Sequence, residues 1–251
     1  MTYAYVGAGA LATNITTTTL PVVAPTGIND DDILLCQLIN KSVTANAFTP
    51  PNASWTAVIA TEVNDCTTAA DDHQYGLYWC RAKATDSGAT FNFTKATDDN
   101  LLFAGVISAH RGFKKSGSPI NATAPARTET AGANDNVAFP AFDPAGANCH
   151  VFFMAYYGND LSAFAAAMSA DTNPDCTLRY DLETSSGNDC TLACTSGDND
   201  GANVASRTWA SAASTDAGNT GVVFAMDLEP VAGDAPIPNE PNRQIGPLCA
   251  Q

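Results

Sequence analysis

Leu101-Leu-Phe-Ala-Gly-Val-Ile-Ser-Ala109 is apolar almost without interruption and too short for a core helix. A run like this reads as a strand covered on both faces, so a chain containing it must supply a layer on each side. It stops abruptly at His110-Arg111-Gly112. Upstream, Tyr75-Gly-Leu-Tyr-Trp-Cys-Arg-Ala82 is rich in aromatics, and Thr90-Phe-Asn-Phe-Thr94 alternates strictly, with Phe91 and Phe93 on one face. Thr85-Asp-Ser-Gly88 between them has turn chemistry, so these two runs are expected to pair as a hairpin. The stretch 75–112 therefore marks the centre of a β-sandwich core.

Other runs extend the pattern. A first edge strand is predicted at Tyr3-Ala-Tyr-Val6, and a single strand at Asn14-Ile-Thr-Thr-Thr-Thr-Leu20. Pro21 and Pro25 limit Val22-Val23 to an edge. Ile33-Leu-Leu-Cys-Gln-Leu-Ile39 is a clear strand, preceded by Asn29-Asp-Asp-Asp32 as a solvated turn. The loop Phe48-Thr-Pro-Pro-Asn-Ala-Ser-Trp55 is expected to end by burying its tryptophan, and a strand follows to Thr61.

Residues 113–136 read as a long polar loop with one edge strand, and Pro140 weakens the run 137–142. Cys149-His-Val-Phe-Phe-Met-Ala-Tyr-Tyr157 and Cys176-Thr-Leu-Arg-Tyr-Asp-Leu182 are strands, with a short helix predicted over 161–170. Residues 185–201 read as a loop interrupted by Cys190-Thr-Leu-Ala-Cys194. Residues 207–212 and 220–228 are expected to form a closing hairpin about a turn at 216–219. No repeat of fixed period is evident. The fold class is all-β, an antiparallel β-sandwich or jelly-roll-like domain over residues 1–229.

Residues 230–251 differ in kind. Pro230, Pro236, Pro238, Pro241 and Pro247 break any ladder, which predicts an extended C-terminal arm. Pro236, Pro238, Pro241, Arg243, Ile245 and Leu248 are the candidate inter-subunit contacts, since such arms commonly lie on a neighbouring subunit.

Charge narrows the partners. The chain carries 26 acidic and 11 basic residues, a formal net charge of −15, and only 15% charged residues. Nucleic acid needs clustered Lys and Arg, and Lys114-Lys115 is the only basic doublet, so no nucleic-acid partner is expected. No segment approaches the roughly 20 apolar residues of a membrane span, and no secretory signal is visible at the start. Synthesis in a cytoplasm is the expectation, and for the 8 cysteines buried thiols are then favoured over a disulfide framework.

No catalytic, metal or cofactor residues are assigned. His73, His110 and His150 are the only histidines, no Gly-x-Ser-x-Gly elbow occurs, and structural roles are expected for all three. Cys176, Cys190 and Cys194 have no paired zinc-ligand spacing. Ser196-Gly-Asp-Asn-Asp-Gly201 imitates the start of a calcium loop, but its twelfth position falls on Arg207, so a solvated turn is preferred there and at Asp30 to Asp32. No carboxylate pair is singled out for glycoside hydrolysis. Asn-x-Ser/Thr tripeptides at Asn14, Asn40, Asn52, Asn92 and Asn121 are expected by chance in so Asn- and Thr-rich a chain.

The order of motifs carries a resemblance. Tyr5-Val-Gly-Ala-Gly, Asp32-Ile-Leu-Leu, Pro50-Pro-Asn-Ala-Ser-Trp-Thr56 and Leu77-Tyr-Trp-Cys-Arg-Ala come first. Thr90-Phe-Asn-Phe-Thr, Val106-Ile-Ser-Ala-His-Arg-Gly112, Pro119-Ile120 and Gly221-Val-Val-Phe-Ala-Met-Asp-Leu228 follow. Over residues 3–228 this resembles β-sandwich virion proteins of tailed bacteriophages. Ser54 stands where that family has glycine, and His110 where it has tyrosine. The motifs mark turns and core rather than chemistry. The resemblance implies a non-enzymatic virion protein on the capsid exterior, most simply a capsid decoration (cement) protein. Its partners would be the major capsid protein and copies of itself as a homotrimer, with no cofactor. A tail or fibre adhesin for host glycans and a secreted carbohydrate-binding module are the alternatives.

Overall fold

A computed structural model describes residues 3–42, 44, 46–67, 69, 71–131, 136–146, 148–159, 164, 174–184, 189–199, 202–210 and 218–230. Within them the chain forms β1 (Ala4–Ala8), β2 (Ala12–Asn14), β3 (Thr19–Val23), β4 (Ile33–Asn40), β5 (Phe48–Thr49) and β6 (Thr56–Asn64). Next come β7 (His73–Arg81), β8 (Thr90–Lys95), β9 (Phe103–Arg111), β10 (Ala126–Thr130) and β11 (Asn136–Phe139). The last are β12 (Cys149–Tyr157), β13 (Thr177–Glu183), β14 (Thr191–Asn199), β15 (Arg207–Ala210) and β16 (Asn219–Asp227). All sheet pairings are antiparallel. The all-β reading holds.

The strands stack in four layers. An outer sheet β3-β8-β5 covers a central sheet β1-β9-β4-β7-β6, to which β2 adds beside β9. A second central sheet, β10-β16-β12-β14-β13, is covered in turn by the outer pair β11-β15. Three apolar cores separate the layers. Leu20, Val22 and Phe93 pack with Leu34, Cys36 and Leu38 in the first. Ile33, Leu35, Tyr75 and Leu77 meet Phe152, Met154, Leu192 and Phe224 across the middle. Val137, Phe139 and Trp209 pack with Val151, Phe153 and Ala155 in the last. Both central sheets are thus buried on both faces, which is why β4, β9, β12 and β16 lack the alternation of a half-exposed strand.

The layers follow one plan used twice. In chain order β1, β3, β4, β6, β7, β8, β9 correspond to β10, β11, β12, β13, β14, β15, β16, and every pairing within the first set recurs in the second. β3, β4, β7, β8 and β9 begin at Thr19, Ile33, His73, Thr90 and Phe103; β11, β12, β14, β15 and β16 begin at Asn136, Cys149, Thr191, Arg207 and Asn219, each 116 to 118 positions later. Pro21-Val-Val-Ala-Pro25-Thr-Gly27-Ile-Asn29 and Pro140-Ala-Phe-Asp-Pro144-Ala-Gly146-Ala-Asn148 carry the same four residues at the same spacing. Gly105 and Gly221 also correspond. A side chain on Gly105 would press on Leu38 and Leu20, and one on Gly221 would run into Ala138 O and Phe139, so each presents bare backbone towards its outer sheet. The absence of a repeat, expected above, is corrected: among the described residues the strand plan occurs twice, and the residues common to the two copies lie at turns and close approaches.

Other expectations are also corrected. β7 and β8 are not a hairpin. β4 and β6 occupy both edges of β7, so the chain crosses through a 3-10 turn at Ala84–Asp86 into the outer sheet. Asp86 holds that turn by accepting from Lys83 N at 2.8 Å. For the same reason β15 and β16 do not pair with each other: β15 joins β11, while β16 lies between β10 and β12. The run 14–20 is broken because Asn14 Oδ1 accepts from the Thr16 and Thr17 amides at 2.9 and 3.1 Å, turning the chain between β2 and β3. Much of the supposed loop 185–201 is the central strand β14, buried except at Asp198. Asp32 is no solvated turn residue: it is 1% exposed and takes a two-nitrogen ion pair from Arg111, at 2.7 Å each. The predicted helix over 161–170 lies outside the described residues apart from Phe164.

Candidate functional site

The arm residues Pro236, Pro238, Pro241, Arg243, Ile245 and Leu248 lie outside the described residues. What is described is the root of the arm. Glu229 N donates to Gly112 O at 2.8 Å, Leu228 N to Asn148 O at 3.1 Å, and the Glu229 carboxylate accepts from Lys115 N at 2.9 Å. The chain is therefore fixed to both halves as far as Glu229, and Pro230 follows on the rim of a cleft of about 370 Å³ lined by Lys114, Asn121, Asn148, Asp227 and Leu228.

Among the described residues, two of the buried polar clusters bring together groups with chemistry to offer, and sequence reasoning anticipated neither. The first lies in the seam between the halves. β12 sets His150 beside β14, and alternation puts Ser196 and Asp198 on its imidazole edge. His150 Nδ1 lies 2.7 Å from Asp198 Oδ1, and Nε2 lies 2.9 Å from Ser196 Oγ. His110 Nε2 lies 2.8 Å from Ser108 Oγ, and its Nδ1 3.1 Å from the Tyr3 hydroxyl. The Tyr3 ring stacks on His150 with centroids 3.5 Å apart, and the Arg179 guanidinium lies over Tyr3 at 5.0 Å and Tyr5 at 5.6 Å. Burial lowers the pKa of both imidazoles, opposed at His150 by the Asp198 carboxylate and reinforced at His110 by His150 and Arg179. His73, the third histidine, is pushed down to about 4 by burial; its Nε2 reaches Thr220 Oγ1 across the same seam at 3.1 Å.

Ser196, His150 and Asp198 have the connectivity of a nucleophile, a base and its orienting carboxylate. Accessibility decides against that use. Ser196 is 0% exposed, its Oγ already accepts from Arg179 Nε at 2.8 Å, and Tyr3 closes over the imidazole. An acyl group has no approach to that oxygen, and reach comes before pKa in assigning such a role.

The second cluster lies in the first core. Lys95 continues the buried face of Phe91 and Phe93, so β8 drives its side chain inward, where it is 0% exposed. Its Nζ donates to the Asp99 carboxylate, to Leu101 O at 3.2 Å and to Asn40 Oδ1 at 3.3 Å. Asn40, at the end of β4, donates from Nδ2 to Asp99 Oδ2 at 3.0 Å. Burial alone would raise the Asp99 carboxyl, but bonds from Asn40, Lys95 and the Leu101 amide outweigh it and leave it below the ordinary carboxylate range. Asn40 was noticed in the sequence only as a tripeptide; the legible sign was a lysine in phase with the half-buried Phe91 and the buried Phe93.

Cys36, Cys66, Cys80 and Cys194 are buried free thiols, and Cys176 is a half-buried one. Among the described residues no three His, Cys, Asp or Glu side chains converge as a metal set, and no helix is long and apolar enough to cross a membrane. Comparison with known proteins finds no matching family model, no similar curated protein and no similar solved structure.

Proposed function

We propose that this chain is a non-enzymatic structural protein of a tailed-bacteriophage virion, a capsid decoration (cement) protein that sits on the outer shell and reinforces contacts between capsomers. The observation that carries the reading is where the reactive side chains lie. His73, His110, His150 and Ser196 are all sealed within the fold, holding layers together rather than facing a substrate. An acidic chain with few charges, −15 overall, suits a protein surface as partner and not nucleic acid. The partners are the major capsid protein and further copies of this chain, closing as a homotrimer at a local threefold position. The residues beyond Pro230 leave a root already fixed to both halves, a placement that lets an arm bear load.

Quantitative mass spectrometry of purified virions tests this. A copy number comparable to that of the major capsid protein is expected, and a chain truncated after Glu229 should remain folded and bind the shell more weakly. A handful of copies per particle would move the protein to the tail or a fibre, and absence from the particle would end the virion reading.

A further inference from the structure

Lys95, Asn40 and Asp99 are placed for a reaction among themselves. The Lys95 amine lies 3.3 Å from the carboxamide oxygen of Asn40, an atom one bond away from the carbon it would attack. Asp99 touches both nitrogens that must exchange protons: the Lys95 amine through one carboxylate oxygen, and Asn40 Nδ2 through the other at 3.0 Å. The Leu101 amide and Asn46 Nδ2 hold that carboxylate at 3.1 and 3.4 Å. Around the trio stand the stacked rings of Phe48 and Phe103, with the amine 5.9 Å from the Phe103 centroid. An amine desolvated beside aromatic walls and fixed against a carbonyl has the proximity that makes amide exchange an intramolecular event. The second half supplies a control. Setting Pro21 against Pro140, the outer-strand pairings put Trp209 at the position of Lys95, and setting Gly105 against Gly221 puts Tyr157 at that of Asn40. There the same space is filled by aromatic side chains, with Trp209 stacked on Phe164 at 4.4 Å. The fold does not require a polar trio at this place.

We propose that Lys95 and Asn40 are joined by an intramolecular isopeptide bond, formed without any other protein, with Asp99 carrying the protons. Asp99 takes a proton from the Lys95 ammonium, and the neutral amine attacks Asn40 Cγ. Asp99 then delivers that proton to Nδ2 as the tetrahedral intermediate collapses. It also takes the second proton that Nζ must lose to become an amide nitrogen and passes it to the departing ammonia, which leaves as ammonium. One bond forms, Lys95 Nζ to Asn40 Cγ; one breaks, Asn40 Cγ to Nδ2; and nothing is oxidised or reduced. The product ties the end of β4 in the central sheet to the end of β8 in the outer sheet, across 55 positions of chain.

The full-length protein decides this by intact-mass spectrometry under denaturing conditions, followed by tryptic mapping. The expected mass is lower than that of the sequence by one ammonia, with a branched peptide joining the segments of Lys95 and Asn40 and no cleavage after Lys95. A folded Asp99→Ala chain should show the full sequence mass and be cleaved there. A wild-type chain of full mass that is cleaved after Lys95 overturns the bond, as does a mass deficit without the branched peptide. A folded Asp99→Ala chain that still carries the branched peptide overturns the role of Asp99.

Discussion

Where the first half closes its outer layer with Lys95 against Asn40 and Asp99, the second puts Trp209 against Phe164. The strands the halves share agree in order, pairing and spacing, but the first half adds β5 beside β8 at Lys95, so the contrast combines side-chain choice with one extra outer strand. It teaches that the architecture is set by which faces are covered and where glycine and proline fall, while the filling of a given site is free to become aromatic or ionic. The seam differs from both outer cores: it is mainly apolar, yet it also holds all three histidines.

The sharpest way to break this picture is acid. His73 titrates near 6.5 when unfolded and at about 4 when folded. As pH falls through this window the unfolded chain takes up the proton first. The contribution is therefore complete above about pH 6.5 and lost progressively towards pH 4, about 3 kcal/mol from this residue. His110 and His150 act in the same direction. Urea midpoints should drop steeply between about pH 7 and about pH 4, less so in His73→Gln, and hydrogen exchange should open the seam before the outer cores. A midpoint that does not move with pH would remove the histidines from the seam's stability.

The paired glycines give a smaller and finer test. Gly221→Ala sets a methyl against backbone, the Ala138 carbonyl, whereas Gly105→Ala first meets the movable end of Leu38. Overpacking costs typically about 1–3 kcal/mol; the Gly221 variant should lie at the upper end and the Gly105 variant at the lower. Equal losses in denaturant titrations would mean that the fixed backbone obstacle and the movable side-chain one do not differ in cost. The smallest effect belongs to Glu62→Gln, which removes the 3.0 Å ion pair to Arg127 between the two central sheets. Both partners are 40% exposed, so the loss should be about 0–1 kcal/mol and should shrink further in salt.

The sequence made the long apolar strands legible because they are complete within themselves: β4, β7, β9 and β12 each announce a buried strand. It also placed Val22-Val23 on an edge and Trp55 in the core. Pairing was not legible. The turn at 84–86 has hairpin chemistry, but whether a turn closes a hairpin or crosses between layers depends on whether the strand before it has a free edge, which is decided far along the chain. β14 escaped notice because covering on both faces lets Thr, Ser and Gly form a buried strand without apolar alternation. The repeated plan was hidden because its constant parts are turns. Of the Lys95 site, the lysine was readable from its phase with Phe91 and Phe93; Asn40, 55 positions away, was not.

The seam also fixes an order of events at the ribosome. The first half can complete its own sandwich once β9 has emerged, but Ile33, Leu35, Tyr75 and Leu77 on its inner face wait for β12, β14 and β16. At about 5–20 residues per second, the chain between β9 and the end of β16 takes roughly 6–23 s to synthesise. Through that interval a nascent chain displays an apolar sheet whose natural cover is another copy of the same plan. On a crowded polysome the nearest such cover belongs to a neighbouring chain, so exchange of halves between molecules is the misassembly this design invites, and dilution of translating ribosomes is what would suppress it.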